Sequence, residues 1–335
     1  MSQSVEEVDQ HVKRKYDILQ KLGKGAYAVV FKARDKKEPD PSKFLALKKI
    51  FDAFQNATDA QRTFREIMYL QALTGHENII RLRNVLKAEN DRDIYLVFDY
   101  METDLHAVIR ANILEAVHKQ FIVYQCLKAL KYCHSGDLIH RDLKPSNLLL
   151  NEECLCKVAD FGLARSLKAM QRGEENASVL TDYVATRWYR APEILLGSTC
   201  YTKAVDMWAL GCIISEMFLG KPLLPGTSTM NQLEKIFEVT GMPSDADVKA
   251  INSTFAETMI SSLASTGQPS EARHNLHAKL KGLGTPDEAI DMISNLMHFN
   301  PDKRLTVEEA LQHPYMAQFF TGSEQACPAK LTVPM

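Results

Sequence analysis

Two short polar stretches hold the residues whose types and spacing are most specific for chemistry. Asp142, Lys144 and Asn147 lie on one loop, and Asp160 follows Asp142 by eighteen residues, beyond a predicted hairpin. Carboxylate and amide oxygens are hard ligands that Mg²⁺ shares with phosphate oxygens and water, so Asn147 and Asp160 are the candidate metal ligands. Asp142 is then left to accept a proton from an incoming hydroxyl, and Lys144 to neutralise a transferring phosphoryl group.

A glycine pair near the start of the chain adds a weaker signal. Gly23 and Gly25 would let backbone N–H groups of a turn approach phosphate oxygens. Ala28 stands where the pattern G-x-G-x-x-G has its third glycine. A plain hairpin turn explains the pair equally well. A dinucleotide-binding fold needs a helix directly after the glycines, whereas residues 29–31 continue as a strand.

Lys48 lies inside an apolar stretch, Leu45-Ala46-Leu47, that predicts a strand. Burying an ammonium group is unfavourable unless it has a partner, and Glu66 on the next predicted helix is the natural one. Such a pair presents the ammonium to the phosphates of a nucleotide. A lysine at the exposed end of a strand is the alternative.

The helix that carries Glu66 is predicted from its start and its periodicity. Thr58 and Gln61 have the spacing of a capping box, with Thr58 as the cap. The hydrophobic residues that follow recur at helical spacing. They place three side chains on the inward face: Phe64, Ile67 and Met68.

The elements around these residues change in character along the chain. Short apolar runs separated by turns predict strands at 16–22, 29–33, 44–51 and 94–98. From residue 105 onward helical patterns dominate, with the clearest at 118–132 and 205–219. The hinge between the two textures falls near 99–102. The sequence therefore predicts a small β-rich lobe, a larger helical lobe and a cleft between them, which is where ligands bind.

This α+β, bilobal organisation divides the chain into four parts. They are an N-terminal extension at 1–15, an N-lobe at 16–100, a mainly helical C-lobe at 101–320 and a tail at 321–335. A stretch rich in Ser, Thr, Ala and Gly at 244–286 is expected to be a surface insertion in the C-lobe. The tail is expected to form a strap or to be disordered.

Composition narrows the function classes. The chain has 335 residues, 45% of them hydrophobic, and a net charge of −2. These values exclude a collagen, a coiled coil, a wholly disordered chain and a general nucleic-acid binder, which would be strongly basic. The seven cysteines have no zinc-site spacing and are expected to be free thiols in a reducing compartment. The N-terminus is too polar for a signal peptide, and the apolar stretch 205–219 is too short to span a membrane.

The motifs occur in the order found in eukaryotic protein kinases, which the chain resembles over about residues 16–320. They read G-x-G, A-L-K, H-R-D-L-K-P-S-N, D-F-G and A-P-E, the last at 191–193. The resemblance implies the protein-kinase fold, ATP and Mg²⁺ as cofactors, and Asp142, Lys144 and Lys48 as catalytic residues. It also implies this set of nucleotide-binding residues: Leu22, Gly23, Lys24, Gly25, Ala26, Val30, Ala46, Lys48, Glu66, Asp99, Met101, Asp104, Lys144, Ser146, Asn147, Leu149 and Asp160.

A narrower resemblance is to mitogen-activated protein (MAP) kinases. Thr181-Asp182-Tyr183 lies nineteen residues after Gly162 and looks like their dual-phosphorylation lip. Short strings at 51–54, 58–67 and 89–98 look most like the atypical extracellular-signal-regulated branch, the 7/8 type, although Asp182 replaces the Glu that is commoner there. The tail lacks the acidic cluster of ordinary MAP kinases, which argues against peptide docking through that patch.

The MAP kinase resemblance implies a switch and a substrate class. Phosphates on Thr181 and Tyr183 would turn the enzyme on, and the branch suggests autophosphorylation. Substrates would be proteins with Ser/Thr-Pro sites. Five arginines would grip the two phosphates: Arg65, Arg141 and Arg165 at Thr181, and Arg187 and Arg190 at Tyr183. Arg62 is expected to be solvated.

Two other function classes were weighed against an active protein kinase. A pseudokinase scaffold usually lacks Lys48, Asp142, Asn147 or Asp160, and all four are present. A small-molecule kinase would have no use for a lip at 181–193 that binds a peptide. The implied partners are protein substrates and an upstream MAP kinase kinase, or none if the chain activates itself. We expect an intracellular monomer without nucleic acid or membrane span, in the cytoplasm, with the nucleus left open.

Overall fold

A five-stranded sheet forms the first part of the molecule. The computed structural model describes residues 7–171, 186–198, 202–264 and 272–331. The strands follow the order β1-β2-β3-β5-β4, and every neighbouring pair is antiparallel. The elements are α1 (Gln10–Lys15), β1 (Tyr16–Lys24), β2 (Ala28–Asp35), β3 (Leu45–Ile50), α2 (Ala57–Ala72), β4 (Leu82–Lys87) and β5 (Ile94–Asp99).

Both faces of this sheet are covered, which explains why β5 is apolar from Ile94 to Phe98. Alternate residues of a strand point to opposite faces. Tyr95 and Val97 pack with Val8 and Val12 of the N-terminal segment in a small outer core. Leu96 and its neighbours on the inner face pack in the main core together with α2. The N-terminal segment is therefore an integral part of the sheet's packing.

Lys49 ties the N-terminal segment to the strand that carries Lys48. Its ammonium group is buried, with 3% of the residue exposed. It donates a hydrogen bond to the main-chain carbonyl of Glu7 (2.8 Å) and lies 3.5 Å from the carboxylate of Asp93. Because neighbouring strand residues face opposite ways, Lys49 points to the outer core while Lys48 points to the cleft.

The second part is mainly helical. Two small sheets, β6-β8-β9 and β10-β7, lie near its junction with the first part. The elements are β6 (Thr103–Asp104), α3 (Leu105–Ala111), α4 (Ala116–Ser135), β7 (Leu138–Ile139), β8 (Leu148–Leu150), β9 (Cys156–Val158), β10 (Arg165–Ser166), α5 (Leu167–Gln171), α6 (Pro192–Leu195), α7 (Ala204–Leu219), α8 (Thr229–Thr240), α9 (Asp245–Ala250), α10 (Ala256–Ala264), α11 (Ala272–Gly282), α12 (Asp287–Leu296) and α13 (Val307–Gln312).

The two parts meet through the segment after α2. Ile80 N–H donates to the carbonyl of Val158 (2.9 Å), and Val158 N–H donates to the carbonyl of Asn78 (2.8 Å). One hydrophobic core continues from the inner face of the sheet into the helical part. The arrangement confirms the α+β, bilobal fold class, with a β-rich N-lobe and a helical C-lobe.

The predicted start of α2 was wrong by a short distance. The helix begins at Ala57, and its cap is Asn56, whose side chain accepts a hydrogen bond from Asp59 N–H (2.9 Å). The capping box proposed for Thr58 and Gln61 does not form. Phe64 was also misplaced, since it is 47% exposed. The buried face of α2 consists of Thr63, Glu66, Tyr69 and Leu70.

Three further segments bear on the sequence predictions. Strand β4 was not predicted, because Arg83, Asn84 and Lys87 leave it without a regular apolar pattern. Within 244–286, the described residues form α9, α10 and α11, and Leu263 and Leu280 are buried. The tail forms a strap as far as Leu331, whose N–H donates to the carbonyl of Gly136 (2.8 Å).

The cysteines within the described ranges are free thiols, as expected. These are Cys126, Cys133, Cys154, Cys156, Cys212 and Cys327. Within the same ranges, every helix is too short or too polar to cross a membrane.

Candidate active site

Lys48 and Glu66 come together at the inner face of the sheet. Lys48 lies on β3 opposite Val30 of β2, and Glu66 lies on the buried face of α2. The Lys48 ammonium is 3.1 Å from a Glu66 carboxylate oxygen. Burial alone would lower the pKa of Lys48, but Glu66, followed by Asp160, holds the pKa above its ordinary value. The site therefore keeps a positive charge facing the cleft.

The loop between β7 and β8 carries the other polar residues. Lys144 Nζ lies 2.7 Å from Asp142 Oδ2. Asn147 closes a 3₁₀ turn, Pro145–Asn147, and its Nδ2 donates to the Asp142 carbonyl (2.8 Å). Because its amide nitrogen is committed to the loop, the amide oxygen of Asn147 is the atom that could bind a metal ion. Ser146, between them, is exposed.

Asp206, at the start of α7, fixes the beginning of this loop through hydrogen bonds to its backbone. Its carboxylate accepts hydrogen bonds from the backbone N–H groups of His140 and Arg141, both at 2.9 Å, and contacts His134 Nε2 at 2.9 Å. Arg141 has a φ of 68°, an unfavourable conformation that these bonds hold in place. Burial would raise the pKa of Asp206, but the histidines and the backbone donors lower it, so the carboxylate stays ionised.

Asp160 follows the β8–β9 hairpin and lies near both Lys48 and Lys144. Ala159 N–H donates to the Asn147 carbonyl (2.9 Å), which joins the two candidate metal ligands. Phe161 is fully buried with its ring 4.8 Å from that of His140. Burial would raise the pKa of Asp160, but Lys48 and Arg62 hold it below its ordinary value.

Arg62 is a site residue that the sequence reasoning missed. It was expected to be solvated, but its guanidinium lies 4.0 Å from Asp160 Oδ1. A Cβ atom at Gly162 would come within 2.8 Å of Arg62 Nε, so the glycine allows this approach. One signal was available: Arg62 precedes Glu66 by four residues, which places both on the same side of α2.

The residues expected around the nucleotide differ from their neighbours in burial. Val30, Ala46 and Leu149 are half-buried, whereas their strand neighbours Val29 and Leu47 are fully buried. The turn from Leu22 to Ala26 is exposed. Gly25 N–H donates to the Ala28 carbonyl (2.8 Å), which closes the turn.

The hinge and the helix after it complete the lining. Asp99 ends β5, and Met101 is half-buried against the main core. Asp104 lies opposite Leu149 in the β6–β8 pairing. One of its carboxylate oxygens caps α3 by accepting from Ala107 N–H (2.9 Å), and the second oxygen takes no part in that cap.

The donor set fits a magnesium–nucleotide complex. Asp160 supplies an ionised carboxylate and Asn147 an amide oxygen, both ligand types that Mg²⁺ prefers. A Cβ atom at Gly23 would meet nothing within 4 Å, so packing within the protein gives no reason for a glycine there. A closely approaching phosphate chain does give one. Lys48 adds the positive charge that such a ligand requires.

The five arginines expected to bind the lip phosphates lie within the described residues, whereas Thr181 and Tyr183 fall outside them. Arg65 Nε donates to the Gln61 carbonyl (3.1 Å) on α2. Arg141 Nη1 reaches the Leu163 carbonyl (3.5 Å), in the segment that leads to Arg165. Arg165 Nη1 donates to the Ala164 carbonyl (2.9 Å).

The last two arginines belong to the segment after the lip. Arg187 Nη1 donates to the Thr227 carbonyl (3.0 Å), whereas its buried Nε has no hydrogen-bond partner within the described ranges. Arg190 N–H donates to the Arg187 carbonyl (3.1 Å) and closes the turn Arg187–Tyr189.

Comparison with known proteins adds an independent result. A family model described as protein kinase domain matches residues 16–316. The chain is 62% identical to extracellular signal-regulated kinase 2 of Dictyostelium discoideum, over 96% of this chain and 85% of that protein. It is 54% identical to mitogen-activated protein kinase 15 of Xenopus laevis, over 95% of this chain. It is 48% identical to extracellular signal-regulated kinase 7 of Drosophila melanogaster, over 96% of this chain. The chain spans 53% and 34% of the length of the latter two proteins.

Proposed function

The chain belongs to the protein kinase family and to its MAP kinase group, and from this premise we propose that it phosphorylates proteins at Ser/Thr-Pro sites under control of the lip at 181–183. MAP kinases are protein serine/threonine kinases that use ATP, and the branch expected from the sequence agrees with the relatives found. Our proposal covers its substrate class, its metal ion, its site residues and its switch.

One observation carries the proposal: the Lys48–Glu66 pair, the Asp142–Lys144 pair and Asp160 face a single cleft between the lobes. When bound, ATP would supply the phosphoryl group and Mg²⁺ would neutralise its charge. Asn147 and Asp160 would hold the metal, and Lys48 would orient the phosphates.

The acceptor side of the reaction would depend on Asp142. Its carboxylate would accept the proton of a Ser or Thr hydroxyl as that oxygen attacks phosphorus. Lys144, 2.7 Å away, would keep Asp142 oriented and add positive charge beside the transferring group. Catalysis would consist mainly of positioning and charge neutralisation.

The test of this assignment compares peptides that differ in one residue. We expect the protein to phosphorylate a Ser-Pro peptide at least about tenfold faster than its Ser-Ala counterpart. Lys48→Met and Asp142→Asn should each lower kcat by about 100-fold or more, because each removes a group that acts in the transition state. Lys43→Met, on an exposed loop, is the control. Turnover by both variants at the wild-type rate would refute the site.

The switch is supported by Arg187. Its buried Nε has no partner among the described residues, which is unfavourable, and a phosphate on Tyr183 would provide an acceptor for it. We also propose that the lip is autophosphorylated. Protein incubated with ATP and Mg²⁺ alone should gain phosphate on Thr181 and Tyr183, measured by mass spectrometry, whereas Asp142→Asn should not. Equal activity of a Thr181→Ala/Tyr183→Phe variant would exclude the switch.

A further inference from the structure

Three consecutive residues after the lip are held by side-chain hydrogen bonds to distant parts of the C-lobe. Arg187 Nη1 donates to the Thr227 carbonyl and Trp188 Nε1 to the Gly226 carbonyl, both at 3.0 Å. Tyr189 OH donates to the Glu216 carboxylate (2.6 Å). We call residues 187–193 the peptide platform, since they continue from the lip towards α6. Its first two side chains rest on the Gly226–Thr227 loop.

That loop is in turn fixed by the first turn of α8. Thr227 N–H donates to Asn231 Oδ1 (3.1 Å), and Gly226 N–H donates to Gln232 Oε1 (3.1 Å). Ser228 caps the helix by accepting from Asn231 N–H. The position of the Trp188 acceptor is therefore set by residues of α8.

Gly226 and Gln232 are packed more closely than any larger residue would allow. A Cβ atom at position 226 would lie 2.3 Å from Gln232 Oε1 and 2.7 Å from its Cα. Gly226 N–H is also bonded to the Leu224 carbonyl (2.9 Å), so it keeps one partner without Gln232. Gln232 is therefore not needed to give Gly226 N–H a hydrogen-bond partner, and its effect is to fix the orientation of the loop.

Stability alone does not explain a glutamine at this position. Gln232 is completely buried, and its Nε2 has no hydrogen-bond partner in the part of the chain that the structure describes. A buried amide nitrogen without a partner lowers stability, and an unbranched apolar side chain of the same length would avoid that penalty. The hydrogen bond from Gly226 N–H to Gln232 Oε1 explains the glutamine better.

We propose that Gln232 is a positioning residue for the peptide platform. Through Gly226 it places the carbonyl that receives the Trp188 indole, and so fixes the segment on which a substrate peptide would lie. The inference rests on the proposed function, because it assumes that proteins bind at 187–193. Gln232 itself touches neither nucleotide nor substrate.

The first test separates substrate positioning from folding. Gln232→Met should raise the KM for a Ser-Pro peptide by about three- to tenfold, the contribution of one hydrogen bond, while the KM for ATP stays constant. Its Tm should equal or exceed that of the wild type, because the unpaired amide is gone. Gly226→Ala should give the same split in KM values. The control is Thr240, a buried polar residue of α8 whose hydroxyl bonds to the Ile236 carbonyl of the same helix. Thr240→Val should leave the peptide KM unchanged.

The second test does not depend on activity. Amide hydrogen exchange of 186–190, followed by mass spectrometry, should be faster in Gln232→Met than in the wild type, whether or not the wild type prefers Ser-Pro peptides. A wild type that phosphorylates no peptide would defeat the proposed function, and this measurement would still decide whether Gln232 holds the platform. Unchanged exchange, or a lower Tm with both KM values altered together, would overturn the inference.

Discussion

His76 shows how one buried side chain makes stability depend on pH. It is 5% exposed and lies in the segment that joins the lobes. Its Nδ1 accepts a hydrogen bond from Asn78 N–H (3.1 Å), which requires an unprotonated nitrogen, and its ring packs on Tyr132 at 4.7 Å. Burial lowers the pKa of His76 to about 4.

The sign of the resulting pH dependence follows from linkage. The folded protein binds this proton less readily than the unfolded chain, whose histidine pKa is about 6.5, so stability is complete above that pH and falls as the pH drops towards 4. We expect His76 to remove about 2 kcal/mol between pH 7 and pH 5. Urea unfolding of wild type and His76→Asn at both pH values measures it. An identical pH dependence in the two proteins would contradict the expectation.

At the scale of residues, sequence reasoning identified groups that a local motif defines. Lys48 and Glu66 were paired correctly because an isolated lysine in an apolar strand demands a nearby carboxylate. Arg62 was missed because its contact, Asp160, lies almost a hundred positions away. Asn56 was missed although the pattern N-x-x-D predicts a cap, since Thr58 offered a competing pattern.

At the scale of elements, one ion pair joins α6 to the turn Pro301–Lys303, which lies between α12 and α13. Arg304 Nη1 and Nη2 each lie 2.7 Å from a Glu193 oxygen. Its remaining donors bond the carbonyls of His298, Ala204 and Phe299, so all five N–H groups are satisfied. The guanidinium also stacks on the Trp208 ring. The short helix that ends the peptide platform is thereby attached to the core.

Breaking this pair should be strongly destabilising, because it leaves a buried guanidinium without its counter-ion. We expect Glu193→Ala to lower the free energy of unfolding by about 3–5 kcal/mol, measured by chemical denaturation. Lys281→Ala removes an exposed pair with Asp287 in the same lobe and should leave it unchanged. Equal effects of the two substitutions would show that burial does not set the strength of the Glu193–Arg304 pair.

The elements themselves were predicted as far as hydrophobic periodicity reaches. β1, β2, β3, β5, α4 and α7 were found within a few residues of their ends because each has a clear apolar pattern. β4 was not found, since an edge strand with one covered face shows a weaker pattern. The segment 244–286 was predicted as a surface insertion, and its helices were not delimited because Ser, Thr and Gly favour no one element.

At the scale of the whole molecule, the tail closes the chain back onto its centre. Cys327 N–H donates to Ser135 Oγ (2.8 Å), and Lys330 Nζ lies 2.9 Å from Asp137. Tyr124 OH donates to Glu324 (3.0 Å). Leu331 is buried against Gly136, where a Cβ atom would lie 3.0 Å from the leucine side chain. The strap supports the end of α4 at Ser135, seven residues before Asp142.

Removing the strap should weaken the whole domain. Truncation after Ser323 exposes the pocket of Leu331 and leaves Tyr124 OH without Glu324, which we expect to cost about 2–4 kcal/mol. Chemical denaturation of the truncated and intact chains measures the loss. Gln325→Ala, on the exposed side of the strap, should have no effect. A truncated protein as stable as the intact one would show that the strap contributes nothing to the free energy of unfolding.

The contact between Lys49 and the N-terminal segment has a consequence for how this protein can vary. The buried ammonium binds the main-chain oxygen of residue 7, not its side chain, so a different amino acid at that position supplies the same ligand. A missing residue supplies none. Substitutions in this stretch should therefore be tolerated in homologues and engineered variants, whereas deletions should not. A deletion would remove the acceptor of Lys49 and disturb β3, the strand that also carries Lys48.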